Sequence, residues 1–270
     1  MFVRAGVIPS LSKANPCNES PGEDYFKIIL RMVRRRADLS VTRTSEVSAG
    51  KVPFKIAYPE SRKINSMPDP NFANQLLSLL ARTSFRLGQF KLSSGGTSDY
   101  YIDCRTTTLH AEGGRLTGHA ILELLGNSMI DAEAVGGLTM GADPIVSNVA
   151  TASAWRAIWH PGSPLLHGFL VRKSEKAHGT GRRIEGFCRE GARVVIVDDV
   201  CTTGASTVNA IEAAQEAGMT VAAAVCIVER EEANGRPSVE AALKGAPFLR
   251  LFTANQVRAE HEKQLATAGH

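Results

Sequence analysis

The chain has 270 residues, 43% hydrophobic and 21% charged, with a formal net charge of +4. That length exceeds what one core needs, and no apolar run approaches the length required to span a membrane. The five cysteines (Cys17, Cys104, Cys188, Cys201 and Cys226) are odd in number and lack C-x-x-C spacing. They suggest neither a disulfide framework nor a zinc site and fit a reducing, cytoplasmic setting.

The first 66 residues differ in kind from the rest. They hold 12 Lys or Arg against 6 Asp or Glu, whereas the remainder holds 19 against 21, so all the net positive charge comes from this segment. It carries the cluster Arg34-Arg35-Arg36 and no sustained apolar pattern outside Tyr25 to Val33. No apolar h-region stands near the start, which argues against a signal peptide. Glu19, Glu23 and Asp24 run against a transit peptide, and one arginine cluster without a motif is poor ground for nucleic-acid binding. Residues 1–66 are expected to be a basic, disordered extension, or to precede a natural start at Met67, with 67–270 the folded domain.

Alternation of strand-like and helix-like segments begins near Asn71. From Ala132 to Ala217 it has the pattern of an α/β fold with a parallel sheet, in which ligands sit at the carboxyl ends of strands. A helix is expected near Ile145 to Ile158. Trp155 and Trp159, four apart on it, would pack or meet a partner, and His110, His119, His160 and His167 are scattered surface or packing residues. Leu165 to Val171 reads as a buried strand. After it, Arg172 to Gly186 concentrates charge around Gly179, Gly181 and Gly186, the composition of a flexible cationic loop. Arg172, Lys173, Lys176 and His178 on such a lid would suit an anionic substrate, and His178 could donate a proton.

Val194 to Val197 form a β-branched run suited to a central strand covered on both faces. Asp198 and Asp199 follow, then Val200, Cys201, Thr202, Thr203, Gly204, Ala205 and Ser206, and an amphipathic helix over Ser206 to Ala217. A helix N-terminus with free N–H groups and a permissive glycine cradles a phosphate. The two carboxylates cannot hold that phosphate, so they are expected to accept hydrogen bonds from sugar hydroxyls or to face a cation carried by the substrate. The loop lacks the Gly-Lys-Ser/Thr ending of a P-loop and the G-x-G-x-x-G of a dinucleotide site. Cys201 reads as a space filler. Further on, Val221 to Val228 is a strand and Ala254 to Leu265 a helix.

Val-Val-Ile-Val-Asp-Asp-Val-Cys-Thr-Thr-Gly-Ala-Ser resembles the phosphoribosyl pyrophosphate motif of the type I phosphoribosyltransferases. Lys176-Ala-His178-Gly179 after a strand ending in Arg172-Lys173 is similar to the mobile catalytic loop of the orotate phosphoribosyltransferases. Phe90 to Gly95 with Ser98 to Asp103 resembles that family's N-terminal strand pair, and Gly136 to Pro144 its next substrate loop. Arg230 falls where the family pairs an arginine with the orotate carboxylate. The chain departs from some members at Ser93 and Met140, where they carry lysine; Lys91 could partly substitute for Ser93 if the strand continued that far.

The resemblance implies a mostly parallel central sheet flanked by helices, with a small hood. It implies that orotate attacks phosphoribosyl pyrophosphate through N1, with Mg2+ carried on the substrate and no dedicated protein metal site. The donor contacts it implies are Arg172, Lys173, Lys176, His178 and Asp198 to Ser206. For orotate it implies Thr202 and Arg230, and as partner a second copy sharing its active sites. Two rivals stay open: transfer to another nucleobase, against which an unpaired Arg230 would argue, and a non-catalytic sensor of phosphoribosyl pyrophosphate, which would not need Lys176 and His178.

Overall fold

The computed structural model describes residues 71–91, 97–173 and 183–268. The expected extension, the position of Ser93 and the segment carrying Lys176 and His178 lie outside the described residues.

Phe72–Thr83 forms α1, opened by Asn71, whose side chain accepts the Asn74 N–H at 2.9 Å. An antiparallel hairpin follows, β1 (Phe85–Lys91) and β2 (Thr97–Ile102), which makes a separate two-stranded sheet and supplies the hood. A short helix α2 (Arg105–Thr108) and α3 (Ala111–Asn127) lead into β3 (Ala134–Leu138) and α4 (Asp143–Trp159). Then come β4 (His167–Val171), β5 (Ile184–Gly186), β6 (Arg193–Cys201), α5 (Ala205–Glu216), β7 (Thr220–Glu229), α6 (Arg236–Leu243), β8 (Phe248–Thr253) and α7 (Ala254–Ala268).

The main sheet has the order β5-β4-β3-β6-β7-β8, and all neighbours are parallel except β5, which runs antiparallel on β4. The expected architecture of a mostly parallel sheet flanked by helices is therefore the one the chain adopts. Side-chain alternation along β6 divides the core in two. Val195 and Val197 join the cluster that includes residues of α1, α3, α4 and α7, while Val194 and Ile196 join the cluster with α5 and α6. Burial on both faces is what the unbroken apolar run required.

The strand differs from its expected length. It continues past Val197 to Cys201, because Asp198, Val200 and Cys201 stay in register with Cys226, Val228 and Glu229 of β7. The two carboxylates therefore stand on a strand rather than on a loop. β4 begins two residues later than expected, and Leu165 is exposed. Gly136 and Gly137 of β3 are tight: a Cβ on Gly137 would lie 2.2 Å from the Val197 carbonyl oxygen, and one on Gly136 2.3 Å from the Phe169 ring. The C-terminal helix is structural, since Gln264 donates to the Ser78 carbonyl at 3.0 Å and Arg258 pairs with Asp99 of the hood. Trp155 and Trp159 are both more than half exposed on α4.

Candidate active site

A cavity of about 380 Å³ opens at the carboxyl ends of β3 and β6, roofed by residues of β2. Into it come Asp198, Asp199, Val200, Thr202 and Ser206 from the central strand and its loop, Lys173 after β4, and Arg230 after β7. The carboxyl end of a parallel sheet is where an α/β fold leaves room for a ligand.

Alternation gives the two aspartates different surroundings. Asp198 continues the Val194–Ile196 face, is 6% exposed, and accepts the Thr207 hydroxyl at 2.7 Å and the Asp199 N–H at 3.0 Å. Burial, reinforced by the neighbouring Asp199 charge, pushes its carboxyl up to about 7. Asp199 points to the other side, against the loop after β3. A Cβ on Gly141 would lie 2.6 Å from its Oδ1, so only glycine allows this approach.

The turn after β6 is built for the start of a helix. Gly204 has φ +78°, and a Cβ there would meet Val239 at 2.7 Å and the Gly235 carbonyl at 2.9 Å. Thr202 and Ser206 border the cavity, whereas Thr203, Gly204 and Ala205 complete the same turn without lining it. Cys201 is buried in the α5–α6 cluster, and burial pushes its thiol up to about 11. That protonated thiol fits a space filler and not a nucleophile.

Arg230 reaches across from the far wall. Its Nε donates to the Tyr100 hydroxyl at 2.9 Å and to Glu232 at 3.0 Å, its Nη2 donates to Ser98 Oγ at 3.2 Å, and its guanidinium lies 4.5 Å from the Tyr100 ring centre. Tyr100 in turn donates to Glu232. Burial and that bond to Glu232 push the Tyr100 hydroxyl up to about 12. Burial acts to raise the Glu232 carboxyl, but hydrogen bonds from Tyr100 and Arg230 outweigh it and hold the group below the ordinary range. Arg230 is thus not the unpaired cation that would have excluded a neutral base. Glu232 pairs with it, and the side chain is still only 11% exposed.

Arg172 does not border the cavity. Its backbone N–H donates to the Arg183 carbonyl, and its guanidinium rests on Glu185 at 3.0 Å across the β4–β5 pair. Met140 stands 66% exposed at the cavity edge. Asp103, Thr139 and Gly141, from the strand pair and substrate loop that sequence reasoning matched as segments, also border the cavity, as does Arg105, which it passed over. Asp103 and Arg105 had a legible signal, a carboxylate and a guanidinium two residues apart at a strand end. Arg105 pairs with Asp103 through Nε and Nη2 at 2.8 and 2.9 Å. That bond holds the Asp103 carboxyl below the ordinary range.

Among the described residues no group of three or more His, Cys, Asp or Glu side chains is set to hold a metal, and no helix is long and apolar enough to cross a membrane. The donors at the cavity are oxygens, from Asp198, Asp199 and the hydroxyls of Thr202 and Ser206, a set that fits a hard cation brought in by a phosphorylated substrate.

No family model matches the chain. It is 41% identical over 170 residues to the orotate phosphoribosyltransferase of Streptomyces coelicolor, covering 63% of this chain and 88% of that protein. It is 38% identical over 186 residues to that of Aquifex aeolicus, covering 68% and 96%. The crystal structure of Mycobacterium tuberculosis orotate phosphoribosyltransferase in complex with 5-phospho-α-D-ribosyl 1-diphosphate superposes with a TM-score of 0.55 at 32% identity, over 69% of this chain and 98% of that one. Identity at this level along nearly the whole length of each relative shows that the chain belongs to the orotate phosphoribosyltransferase family of type I phosphoribosyltransferases.

Proposed function

We propose that the 67–270 domain transfers the phosphoribosyl group of phosphoribosyl pyrophosphate to N1 of orotate, giving orotidine monophosphate and pyrophosphate in the de novo route to UMP. One observation carries this reading beside the family membership. A strand-end carboxylate pair, a helix-opening turn and an arginine on the facing wall share a single cavity. The Mycobacterium relative, whose crystals hold the same donor, supports the choice of phosphoribosyl pyrophosphate.

In this reading Thr202 to Ser206 and the first N–H groups of α5 receive the 5′-phosphate. Asp198 and Asp199 take the ribose hydroxyls and balance the positive charge that grows on the ribose ring. Lys173, Lys176 and His178 meet the negative charge that grows on pyrophosphate as its bond to the sugar breaks. Arg172 joins them only by leaving Glu185. Arg230 pairs with the orotate carboxylate, with Thr202 close by. Mg2+ neutralises pyrophosphate charge when bound, and its fixed contacts here would be Asp198 and Asp199. We assign the protein to the cytoplasm, in keeping with its free cysteines, and take its assembly to be a homodimer in which the Lys176–His178 loop of one subunit serves its neighbour.

The test is magnesium-dependent loss of orotate absorbance with phosphoribosyl pyrophosphate, with uracil, hypoxanthine and adenine offered in parallel and products identified. Turnover with orotate alone is expected. Turnover with another base would move the acceptor, and donor binding without turnover of any base would favour a sensor.

A further inference from the structure

We propose that Arg105 is a pyrophosphate-binding residue of this site, held in position by Asp103. The inference rests on the reaction proposed above and adds a contact to it.

The cavity is bordered by three carboxylates, Asp103, Asp198 and Asp199, and among the described residues by three cations, Lys173, Arg105 and Arg230. A leaving pyrophosphate cannot sit beside that many carboxylates unless cations face it. One cation that the sequence offered for this task, Arg172, is drawn onto Glu185, and the β3–α4 loop, with Met140, carries none. Arg230 is engaged by Glu232, Tyr100 and Ser98 on the acceptor side. Among the described residues Lys173 and Arg105 remain.

Arg105 is prepared for an anion in a way Lys173 is not. The Asp103 carboxylate takes its Nε, its Nη2 and its own backbone N–H, at 2.8, 2.9 and 3.1 Å. Three bonds to one side chain fix the plane of the guanidinium before any ligand arrives, so little rotamer freedom is left to lose on binding. Nη1 makes no hydrogen bond among the described residues, and the side chain is 43% exposed where it borders the cavity. It borders the same cavity as Asp198 and Asp199. A planar guanidinium with Nε and Nη2 fixed and Nη1 free is suited to a phosphate oxygen. Asp103 contributes the position and Arg105 the contact.

The experiment compares wild type, Arg105→Gln, Arg105→Lys and Asp103→Asn by initial rates, product inhibition with inorganic pyrophosphate, and thermal melting. Arg105→Gln is expected to raise both the KM for phosphoribosyl pyrophosphate and the inhibition constant of pyrophosphate by on the order of tenfold or more, with the orotate KM and the melting midpoint near wild type. Arg105→Lys recovers part of this loss, and Asp103→Asn, which keeps the guanidinium but loosens it, shows a smaller rise in the same two constants. An unchanged pyrophosphate inhibition constant in a normally melting Arg105→Gln protein overturns the proposal. Should that variant not fold, unchanged constants in Asp103→Asn overturn it instead. Absence of wild-type turnover would sink the reaction and not this contact; calorimetric titration of magnesium pyrophosphate into wild type and variants then decides, with equal affinities overturning it.

Discussion

Replacing Asp198 by Asn should make the ligand-free protein more stable above pH 7 while abolishing most of its turnover. Asp198 is 6% exposed and sits beside Asp199, and together burial and that neighbour raise its carboxyl from 3.8 to about 7. The sign follows from proton linkage. Between those two values the folded protein holds a proton that the unfolded chain has released, so stability is full below the unfolded value and falls as pH rises toward the folded one. At about 1.4 kcal/mol per pH unit, the rise sets a ceiling of about 4 kcal/mol, and relaxation and partial sharing with Asp199 bring the expected gain to about 1–3 kcal/mol. Asn can keep both local bonds, accepting the Asp199 N–H and donating to Thr207, whose hydroxyl can turn to receive it. Denaturant midpoints at pH 5, 6, 7 and 8 should fall for wild type and stay flatter for Asp198→Asn. Should the variant be less stable at pH 8, or keep the wild-type slope, the carboxyl is not held neutral by burial and the account of the pair is refuted.

Three other substitutions probe separate parts of the site. Arg230→Ala should raise the orotate KM at least tenfold, from loss of a charge-assisted pair of about 1.5–3 kcal/mol, while Glu232→Gln, which leaves Arg230 in place, should raise it less; an unchanged orotate KM in Arg230→Ala would remove the acceptor assignment. Lys176→Ala should lower kcat by a factor of about 100 or more with an unaltered melting midpoint, and equal losses in stability and rate would argue against a catalytic loop. Gly204→Ala combines φ +78° with contacts of 2.7 and 2.9 Å to Val239 and Gly235. It should cost about 1–3 kcal/mol by chemical denaturation and weaken donor binding, and a neutral result would mean that the turn can move.

The linear order of residues determined most of the fold and the place of the site. The β-branched run at Val194 to Val197 required burial on both faces, the Asp-Asp pair marked the ligand side of that strand, and Gly204 marked a turn that no other residue enters without strain, because these are local properties of backbone and side chain. The hood pair and the substrate loop were legible only as resemblance. Tertiary structure decided what depends on partners distant in sequence. Pairing with β7 carried the strand to Cys201 and so set Asp198 and Asp199 on opposite faces, one buried against Thr207 and the other half-buried beside Gly141. Glu185 claimed Arg172, and Tyr100 with Glu232 claimed Arg230, 130 residues along the chain from its tyrosine partner. Charge in a sequence is a list of ions, and which of them face a ligand is settled by the competition among their neighbours once the chain has folded.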